Sequence, residues 1–127
     1  MPIGSTTIIN KTKGKLPRLP FDSIKTAILG KDYELSVACL GARAMRALNH
    51  THREKDKTTN ILSFELSKNS GEIILELAQT KKDAPLFDMS YTQFSKFLFI
   101  HGCLHLKGMQ HSSTMEKEEK KFLKKFS

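Results

Sequence analysis

Three of the five histidines in the chain lie close together near its C-terminal end, as His101, His105 and His111. On a helix, a spacing of four residues places His101 and His105 one turn apart on the same face. Two imidazoles so placed can both reach a zinc ion at about 2.0–2.1 Å. Gly108 can end the helix in a left-handed conformation and so bring His111 back as a third ligand. The pattern predicts one zinc ion per chain, and the alternative is a solvated histidine-rich turn.

The number of ligands indicates what such an ion would do. Structural zinc sites are nearly always closed by four protein ligands, whereas catalytic sites keep a position for water or substrate. The candidates for a fourth ligand are Gln110, Glu116 and Glu118. Glutamine is a poor zinc ligand, and the two glutamates fall in a following charged segment that predicts a separate helix. We therefore expect an open site and a catalytic ion.

The residue after the first histidine bears on the reaction. The metzincin metalloproteases share this histidine spacing, but a glutamate directly follows their first histidine and acts as the general base. Gly102 occupies that position here and cannot take up a proton. A zincin-like metallopeptidase is therefore a less favoured interpretation.

The charge balance favours a polyanionic partner. The 127 residues include 21 Lys and Arg against 13 Asp and Glu, a formal net charge of +8. Such a charge suits nucleic acid, although charge alone is weak evidence because many soluble proteins are basic. The length predicts a single domain, residues 1–127, with a core of its own.

The cysteines and the lack of long apolar segments indicate the compartment. Cys39 and Cys103 do not form a Cys-x-x-Cys pair, so a disulfide framework is not expected. Cys103 would lie about 200° round a helix from each of the two nearest histidines, which predicts a packing role. No segment has the composition of a signal peptide or a membrane span. We expect a reducing, cytoplasmic location and no membrane partner.

Periodic patterns predict the elements that position these residues. Strands are predicted by alternation or β-rich composition over residues 6–10, 33–40, 61–64 and 73–77. Helices are predicted by helical spacing over residues 21–29, 41–49, 91–107 and 115–126. Prolines argue against regular structure between the first strand and the first helix.

The clearest helical pattern, residues 91–107, carries the first two histidines. Its apolar stripe is formed by Phe94, Phe97, Leu98 and Leu104, and the two histidines continue that stripe toward the core. We interpret the aromatic residues as core and not as a platform for stacking nucleobases. An ion bound at the end of such a stripe would lie in partly dry surroundings, where its charge acts strongly on a bound water.

Two segments together resemble a known family. Residues 48–64 read LNHTHREKDKTTNILSF, and residues 101–111 read HGCLHLKGMQH. The YbeY family of metal-dependent bacterial endoribonucleases has Leu-Asn, Arg-x-x-Asp and Thr-Asp/Asn-Val-Leu-Ser-Phe in the first segment, with Gly-Asp-Ile after it. Its metal motif is His-Gly-x-Leu-His-Leu-x-Gly-Tyr-Asp-His. The chain resembles this family from about residue 33 to residue 127.

The resemblance implies an α+β fold, with a mixed sheet of about four strands packed against helices and the metal site at the C-terminal end of the central helix. It implies a zinc-dependent, single-strand-specific endoribonuclease that acts in 16S rRNA 3′ end maturation and ribosome quality control. Its partners would be ribosomal RNA, the small ribosomal subunit and ribosome-associated proteins. By the same match His101, His105 and His111 are the zinc ligands, and Arg53 and His101 are the catalytic residues. A planar guanidinium offers paired donors to a phosphate, which suits Arg53 to this role.

The chain departs from the family pattern at three places. Met109 and Gln110 replace Tyr-Asp before the last histidine, Glu72 replaces the aspartate of Gly-Asp-Ile, and Lys57 and Thr58 replace a proline segment. Glutamine can only hydrogen-bond where an aspartate could orient an imidazole or move protons. We therefore expect Gln110 to lower metal affinity or rate.

Two questions stay open at the level of sequence. The attacking group in RNA cleavage is either a water molecule or a neighbouring ribose 2′-OH. The alternative function is a non-catalytic rRNA- or ribosome-binding assembly factor in which the zinc ion is structural.

Overall fold

The computed structural model describes residues 5–53 and 60–127, and of residues 49–53 it describes the backbone alone. Within these ranges, short strands alternate with helices. In chain order the elements are β1 (Thr6–Asn10), α1 (Phe21–Leu29), β2 (Glu34–Leu40), α2 (Ala42–Arg53), β3 (Ile61–Ser67), β4 (Ser70–Glu76), α3 (Leu77–Asp83), a short 3-10 helix (Ala84–Phe87), α4 (Tyr91–Leu106) and α5 (Ser113–Lys125).

The four strands form one mixed sheet in the order β1-β2-β4-β3. β2 pairs in parallel with both β1 and β4, whereas β3 pairs antiparallel with β4. Parallel neighbours need a crossover connection, and α1 supplies the one between β1 and β2. The predicted α+β fold with a mixed four-stranded sheet is confirmed.

The larger core lies between one face of the sheet and helices α1, α4 and α5. Successive residues of a strand point to opposite faces. Ile73 and Leu75 of β4 therefore face this core, whereas Ile74 between them packs in a smaller cluster with Met45 and Leu62 on the other face. Both faces of the central strand β4 are thus covered.

Helix α4 is enclosed on most of its circumference. Ser90 caps its N-terminus by accepting a hydrogen bond from the Gln93 N–H at 3.1 Å. The buried residues of α4 extend well beyond the predicted apolar stripe and are Phe94, Ser95, Leu98, Phe99, Ile100, Gly102, Cys103 and Leu104. A stripe covers one side of a helix, so this pattern indicates contacts with the sheet on one side and with neighbouring helices on others.

The chain reverses at the C-terminal end of α4. Gly108 has a φ of 108°, and the Met109 N–H donates a hydrogen bond to the Leu104 carbonyl at 3.0 Å. A left-handed glycine closing the last turn of a helix in this way is a common helix ending. The predicted glycine turn is confirmed, and it directs the following residues back toward α4.

The strand predicted over residues 73–77 ends one residue early, because Leu77 begins α3. The sequence pattern did not predict this helix. The Glu76 carboxylate caps α3 by accepting hydrogen bonds from the N–H groups of Ala78 at 3.1 Å and Gln79 at 3.0 Å. Helix caps are usually Ser, Thr, Asp or Asn, so a glutamate gave no recognisable start signal.

Cys39 and Cys103 are both free and buried in the core, so the expectations of no disulfide and of a packing role for Cys103 are confirmed. In residues 5–53 and 60–127, no helix combines the length and the apolar composition needed to cross a membrane.

Candidate metal centre

His101 and His105 lie one turn apart at the end of α4, with their Nε2 atoms 2.9 Å from each other. Their ring centroids are 4.4 Å apart and the ring planes are nearly perpendicular, at 86°. Each ring is held from its other nitrogen. Nδ1 of His101 lies 2.6 Å from Oε2 of Glu119, and Nδ1 of His105 lies 3.0 Å from the carbonyl oxygen of Met109.

These contacts fix the tautomers of the two imidazoles. A carboxylate and a carbonyl only accept hydrogen bonds, so Nδ1 of each ring carries the proton and donates it. In a neutral imidazole this leaves the lone pair on Nε2. The Nε2 lone pairs of His101 and His105 then face each other, and two acceptors cannot hydrogen-bond together. A proton shared by the two nitrogens or a metal ion bound by both satisfies them, and imidazole nitrogens are ligands that a zinc ion accepts.

His111 lies in the chain reversal between α4 and α5. Its ring centroid is 5.6 Å from that of His101, and the two planes are inclined by 70°. Imidazoles that share a tetrahedral zinc ion have ring centroids roughly 5 Å apart. Taking the described parts of the chain together, no group of three His, Cys, Asp or Glu side chains already stands in a metal-holding arrangement. The structure therefore places two nitrogens face to face, with the third imidazole close by.

The burial of the two helical histidines differs from the prediction. Both were predicted to continue the apolar stripe into the core. The His101 side chain is 20% exposed, whereas His105 lies exposed at the surface. The ring of His105 reaches the Met109 carbonyl in the reversing chain, so it lies at the surface end of the stripe.

Glu119 is the site residue that the sequence did not reveal. It is 4% exposed and lies on the buried face of α5 together with Met115 and Phe122. The sequence signal that could have identified Glu119 is its spacing of four residues from Met115, which places it in the apolar stripe of the helix. A carboxylate in such a stripe is buried and therefore needs a partner. His101 is that partner.

The three candidates for a fourth ligand are placed differently. Glu116 lines the same cavity as His101 and His111. Glu118 forms an ion pair with Lys121 on α5, with 3.7 Å between Oε2 and Nζ. Gln110 is exposed. Of these three candidates, Glu116 alone shares the cavity with His101 and His111.

A cavity of about 530 Å³ opens beside the histidines. Ring contacts lead from Phe87 through Phe94 and Phe97 to His101, so the cavity has an apolar end at Phe87 and a polar end at the histidines. The polar side chains of its lining are Asn60, His101, His111, Glu116, Glu119 and Lys120, and the apolar ones are Ile61, Phe87, Phe94, Phe97 and Leu98. The volume falls in the range of small-molecule sites, roughly 300–1,000 Å³.

Gly102 faces the sheet and not the cavity. A Cβ atom at this position would lie 3.0 Å from Cδ1 of Ile73 and 3.1 Å from Cδ1 of Ile61. A glutamate here would enter the tight interface between α4 and the sheet. The position that holds the general base in metzincins is thus used for packing, which argues against peptidase chemistry.

The Cys103 thiol is excluded as a ligand. It is buried on the core side of α4, and burial raises its pKa above the ordinary value of 9.0. The metal-binding form of a cysteine is the thiolate, which this environment disfavours.

Arg53 is the last residue of α2, and its side chain lies outside the described residues. Lys57 and Thr58 lie outside them altogether. Asn60, where the description of the chain resumes, lines the cavity.

Comparison with known proteins gives a consistent family match. A family model described as Endoribonuclease YbeY matches residues 10–127. A relative from Mycoplasmopsis synoviae, named Endoribonuclease YbeY, is 35% identical over 105 residues, which cover 75% of this chain and 68% of the relative. A protein of the same name from Neorickettsia sennetsu is 32% identical over 116 residues, or 83% of this chain and 81% of the relative. Another protein of this name, from Wolinella succinogenes, is 36% identical over 106 residues, which cover 80% of this chain and 74% of the relative.

A solved structure agrees at the level of fold. The solution structure of TM1509 from Thermotoga maritima superposes with a TM-score of 0.68, covers 96% of this chain and 89% of that protein, and is 23% identical in sequence. This likeness supports the arrangement of sheet and helices described above.

Proposed function

The chain belongs to the YbeY family of endoribonucleases, and from this membership we propose that it is a zinc-dependent, single-strand-specific endoribonuclease. Its proposed task is 16S rRNA 3′ end maturation and ribosome quality control. Ribosomal RNA, the small ribosomal subunit and ribosome-associated proteins are the proposed partners, and the cytoplasm is the proposed location. The observation that carries the metal dependence is the pair of facing Nε2 atoms, 2.9 Å apart.

His101, His105 and His111 are the proposed ligands. A zinc ion there would supply Lewis-acid chemistry to a phosphate oxygen or lower the pKa of a water toward about 7. The Glu119 carboxylate accepts a hydrogen bond from Nδ1 of His101, and the Met109 carbonyl accepts one from Nδ1 of His105, so each ring keeps the Nε2 lone pair for the ion. The attacking group is a water molecule or a ribose 2′-OH.

Positive side chains near the cavity would hold the RNA phosphates. Lys120 lines the polar end of the cavity. Arg53 is proposed as the catalytic phosphate clamp, because a guanidinium can donate two parallel hydrogen bonds to phosphate oxygens as charge builds on them. The formal net charge of +8 adds a general attraction for a polyanion.

The experiment that tests this proposal is cleavage of a labelled single-stranded ribosomal RNA fragment, with zinc content measured on the same protein samples. The wild-type protein is compared with Arg53→Ala and His101→Ala. Lys117→Ala is the matched surface control, because Lys117 is an exposed residue of α5 outside the cavity. Cleavage that follows zinc occupancy and is lost in the first two variants alone is the expected result.

The alternative from sequence is a non-catalytic rRNA-binding assembly factor with a structural zinc ion, and the same assay decides between the two. Zinc-loaded protein that binds the fragment and never cuts it would favour the assembly factor. In that case the next variant is Gln110→Asp, which restores the carboxylate of the family motif.

A further inference from the structure

We propose that the apolar end of the cavity is a stacking site for one unpaired nucleobase, with the ring of Phe87 as its outer wall. The inference rests on the proposed ribonuclease function, because the same cavity holds His101 and His111 at its polar end. It adds a binding position for the substrate and a residue that determines how the base is held.

A series of nearly parallel rings runs from the surface to the histidines. The Phe87 and Phe94 rings are stacked, with centroids 4.8 Å apart and planes inclined by 19°. The centroids of Phe94 and Phe97 are 6.2 Å apart and their planes are inclined by 14°. The centroids of Phe97 and His101 are also 6.2 Å apart, with planes inclined by 30°. A planar base that stacks on the exposed face of Phe87 would continue this series of rings.

The rings differ in exposure, and this difference separates core from binding surface. Phe94 is 1% exposed and belongs to the core, as predicted for the aromatic stripe. Phe97 is partly buried, and Phe87 is 56% exposed. Phe87 lies outside the periodic pattern of α4, at the end of the short 3-10 helix. It therefore keeps a large aromatic surface available to a ligand.

The turn that presents Phe87 is well defined. Asp88 follows it in a left-handed conformation, with a φ of 55°, and its N–H donates to the Pro85 carbonyl at 3.2 Å. The Met89 N–H donates to the Ala84 carbonyl at 3.2 Å. Because both bonds close the turn on itself, the position of Phe87 is set before any ligand binds, which lowers the entropic cost of stacking.

The division of the cavity into apolar and polar parts suits a nucleotide. The apolar end carries aromatic rings, whereas the polar lining carries two histidines, Lys120, Asn60, Glu116 and Glu119, of which Glu119 is already paired with His101. A nucleotide has the same division, with a flat aromatic base at one end and an anionic phosphate at the other. A phosphate bound at the histidines would carry its base into the apolar end. Stacking on an aromatic side chain accepts any base, because every base has a π-face.

The test is a comparison of binding to intact and abasic RNA. A short labelled single-stranded oligoribonucleotide is titrated with the purified protein, and an abasic residue is then placed at each position in turn. The titrations are run with a zinc chelator to prevent cleavage, and fluorescence anisotropy gives the Kd. A gel run after each titration verifies that the oligonucleotide is intact, and cleavage is assayed separately with added zinc. In the wild-type protein, one abasic position is expected to raise the Kd by about five- to a hundredfold.

Substitutions of Phe87 test whether its ring contacts the base. Phe87→Leu keeps an apolar side chain and removes the ring, whereas Phe87→Tyr keeps the ring. Leu86→Ala is the matched control, because Leu86 is the neighbouring residue in the same turn, is 78% exposed and does not line the cavity. The Kd for the abasic RNA divided by the Kd for the intact RNA is expected to fall toward one in Phe87→Leu. In Phe87→Tyr and Leu86→Ala this ratio should stay near its wild-type value.

The outcomes separate this inference from the proposed function. If the ratio of abasic to intact Kd is the same in Phe87→Leu and in the wild-type protein, the stacking site is overturned. Binding that does not depend on any base overturns it too, and is the result expected if the pocket accepts an apolar protein side chain. Cleavage of the oligonucleotide by wild-type protein would leave the ribonuclease proposal intact in either case. Conversely, base-dependent binding through Phe87 without any cleavage supports the stacking site and contradicts the ribonuclease proposal.

Discussion

The Glu119 carboxylate lies 2.6 Å from Nδ1 of His101 and so joins the last helix to the helix that carries the histidine pair. Both groups are shielded, with 5% of the glutamate side chain and 20% of the histidine side chain exposed. A carboxylate that holds the distal nitrogen of a histidine raises the basicity of the other nitrogen and fixes its direction. Glu119 is thus placed to orient the imidazole of His101, one of the proposed zinc ligands.

Replacing Glu119 is expected to weaken zinc binding. Loss of such an outer partner typically costs about 10- to 100-fold in metal affinity. Glu119→Ala should show the full loss, and Glu119→Gln a smaller one, because the glutamine carbonyl can still accept the Nδ1 proton. Competition with a chromophoric chelator measures the Kd for zinc.

The matched control is Glu118→Gln, which removes the neighbouring carboxylate and its surface ion pair with Lys121. Thermal unfolding in the presence of chelator separates a loss of zinc affinity from a loss of fold. Equal zinc affinity in Glu119→Ala and the wild-type protein would show that the contact plays no part in metal binding.

Lys120 and Lys117 form a second matched pair on α5. Both are exposed, but Lys120 lines the cavity and Lys117 does not. If Lys120 contacts one phosphate, Lys120→Ala should weaken RNA binding and lower the slope of log Kd against log salt by about 0.7, the value for one contact to a single strand. Titrations at several salt concentrations measure this slope, and identical slopes in the two variants would rule the contact out.

Buried thiols are expected to destabilise the fold at alkaline pH. Burial raises the pKa of Cys39 from its ordinary 9.0 to about 11, and burial also raises the pKa of Tyr33 and of Tyr91. The unfolded chain therefore loses these protons at lower pH than the folded chain. The stability contributed by the neutral groups is complete below the unfolded pKa and falls as pH rises from 9 toward 11.

Urea unfolding at a series of pH values measures this decline. Cys39→Val should show a shallower decline than the wild-type protein over the same window, since it lacks the titrating thiol. An unchanged pH dependence would assign the alkaline loss to Cys103 and the two tyrosines, whose pKa values are also raised by burial. Native protein should also react slowly with thiol reagents, because both cysteines are buried.

Gly71 is expected to be intolerant of substitution. A Cβ atom here would collide with Oη of Tyr33 and would lie 3.0 Å from Cδ2 of Leu106. Gly71→Ala should therefore lower the free energy of unfolding by about 1–3 kcal/mol, the usual cost of overpacking. Urea unfolding of the purified variant gives this value.

A second substitution identifies the cause of that loss. Among the described residues, Oη of Tyr33 is buried without a hydrogen-bond partner, so Tyr33→Phe removes the colliding atom at little cost. The double variant should recover part of the stability that Gly71→Ala loses. Additive effects of the two changes would contradict the predicted collision.

The sequence predicted the parts of the fold that depend on local periodicity. The alternation of Tyr33, Leu35, Val37 and Cys39 is buried on one face as predicted, and α4 begins at Tyr91 and ends within one residue of its predicted end. Gly108 was recognisable because a left-handed helix ending favours glycine. Each of these features is decided by residues close together in the chain.

The parts that the sequence did not reveal depend on how distant elements meet. Glu119 contacts His101 because α5 lies across α4, and nothing in the local pattern of α5 specifies which helix it meets. Phe87 lies in a turn that has no period, so its stacking on Phe94 could not be anticipated. The exposure of His105 follows likewise from where the end of α4 lies in the folded protein.

Helix α4 covers the sheet and also carries His101 and His105, and this has a consequence for protein synthesis. All four strands are made before α4 leaves the ribosome, and the part of their apolar face that α4 buries stays open to water until Phe94, Leu98 and Phe99 arrive to cover it. The burial of this face is therefore also the step that brings His101 and His105 to their places, and His111 and α5, with Glu119, still follow in the chain. A nascent or half-folded chain cannot carry a working site, so the proposed nuclease would be restrained from cutting RNA until its folding is complete.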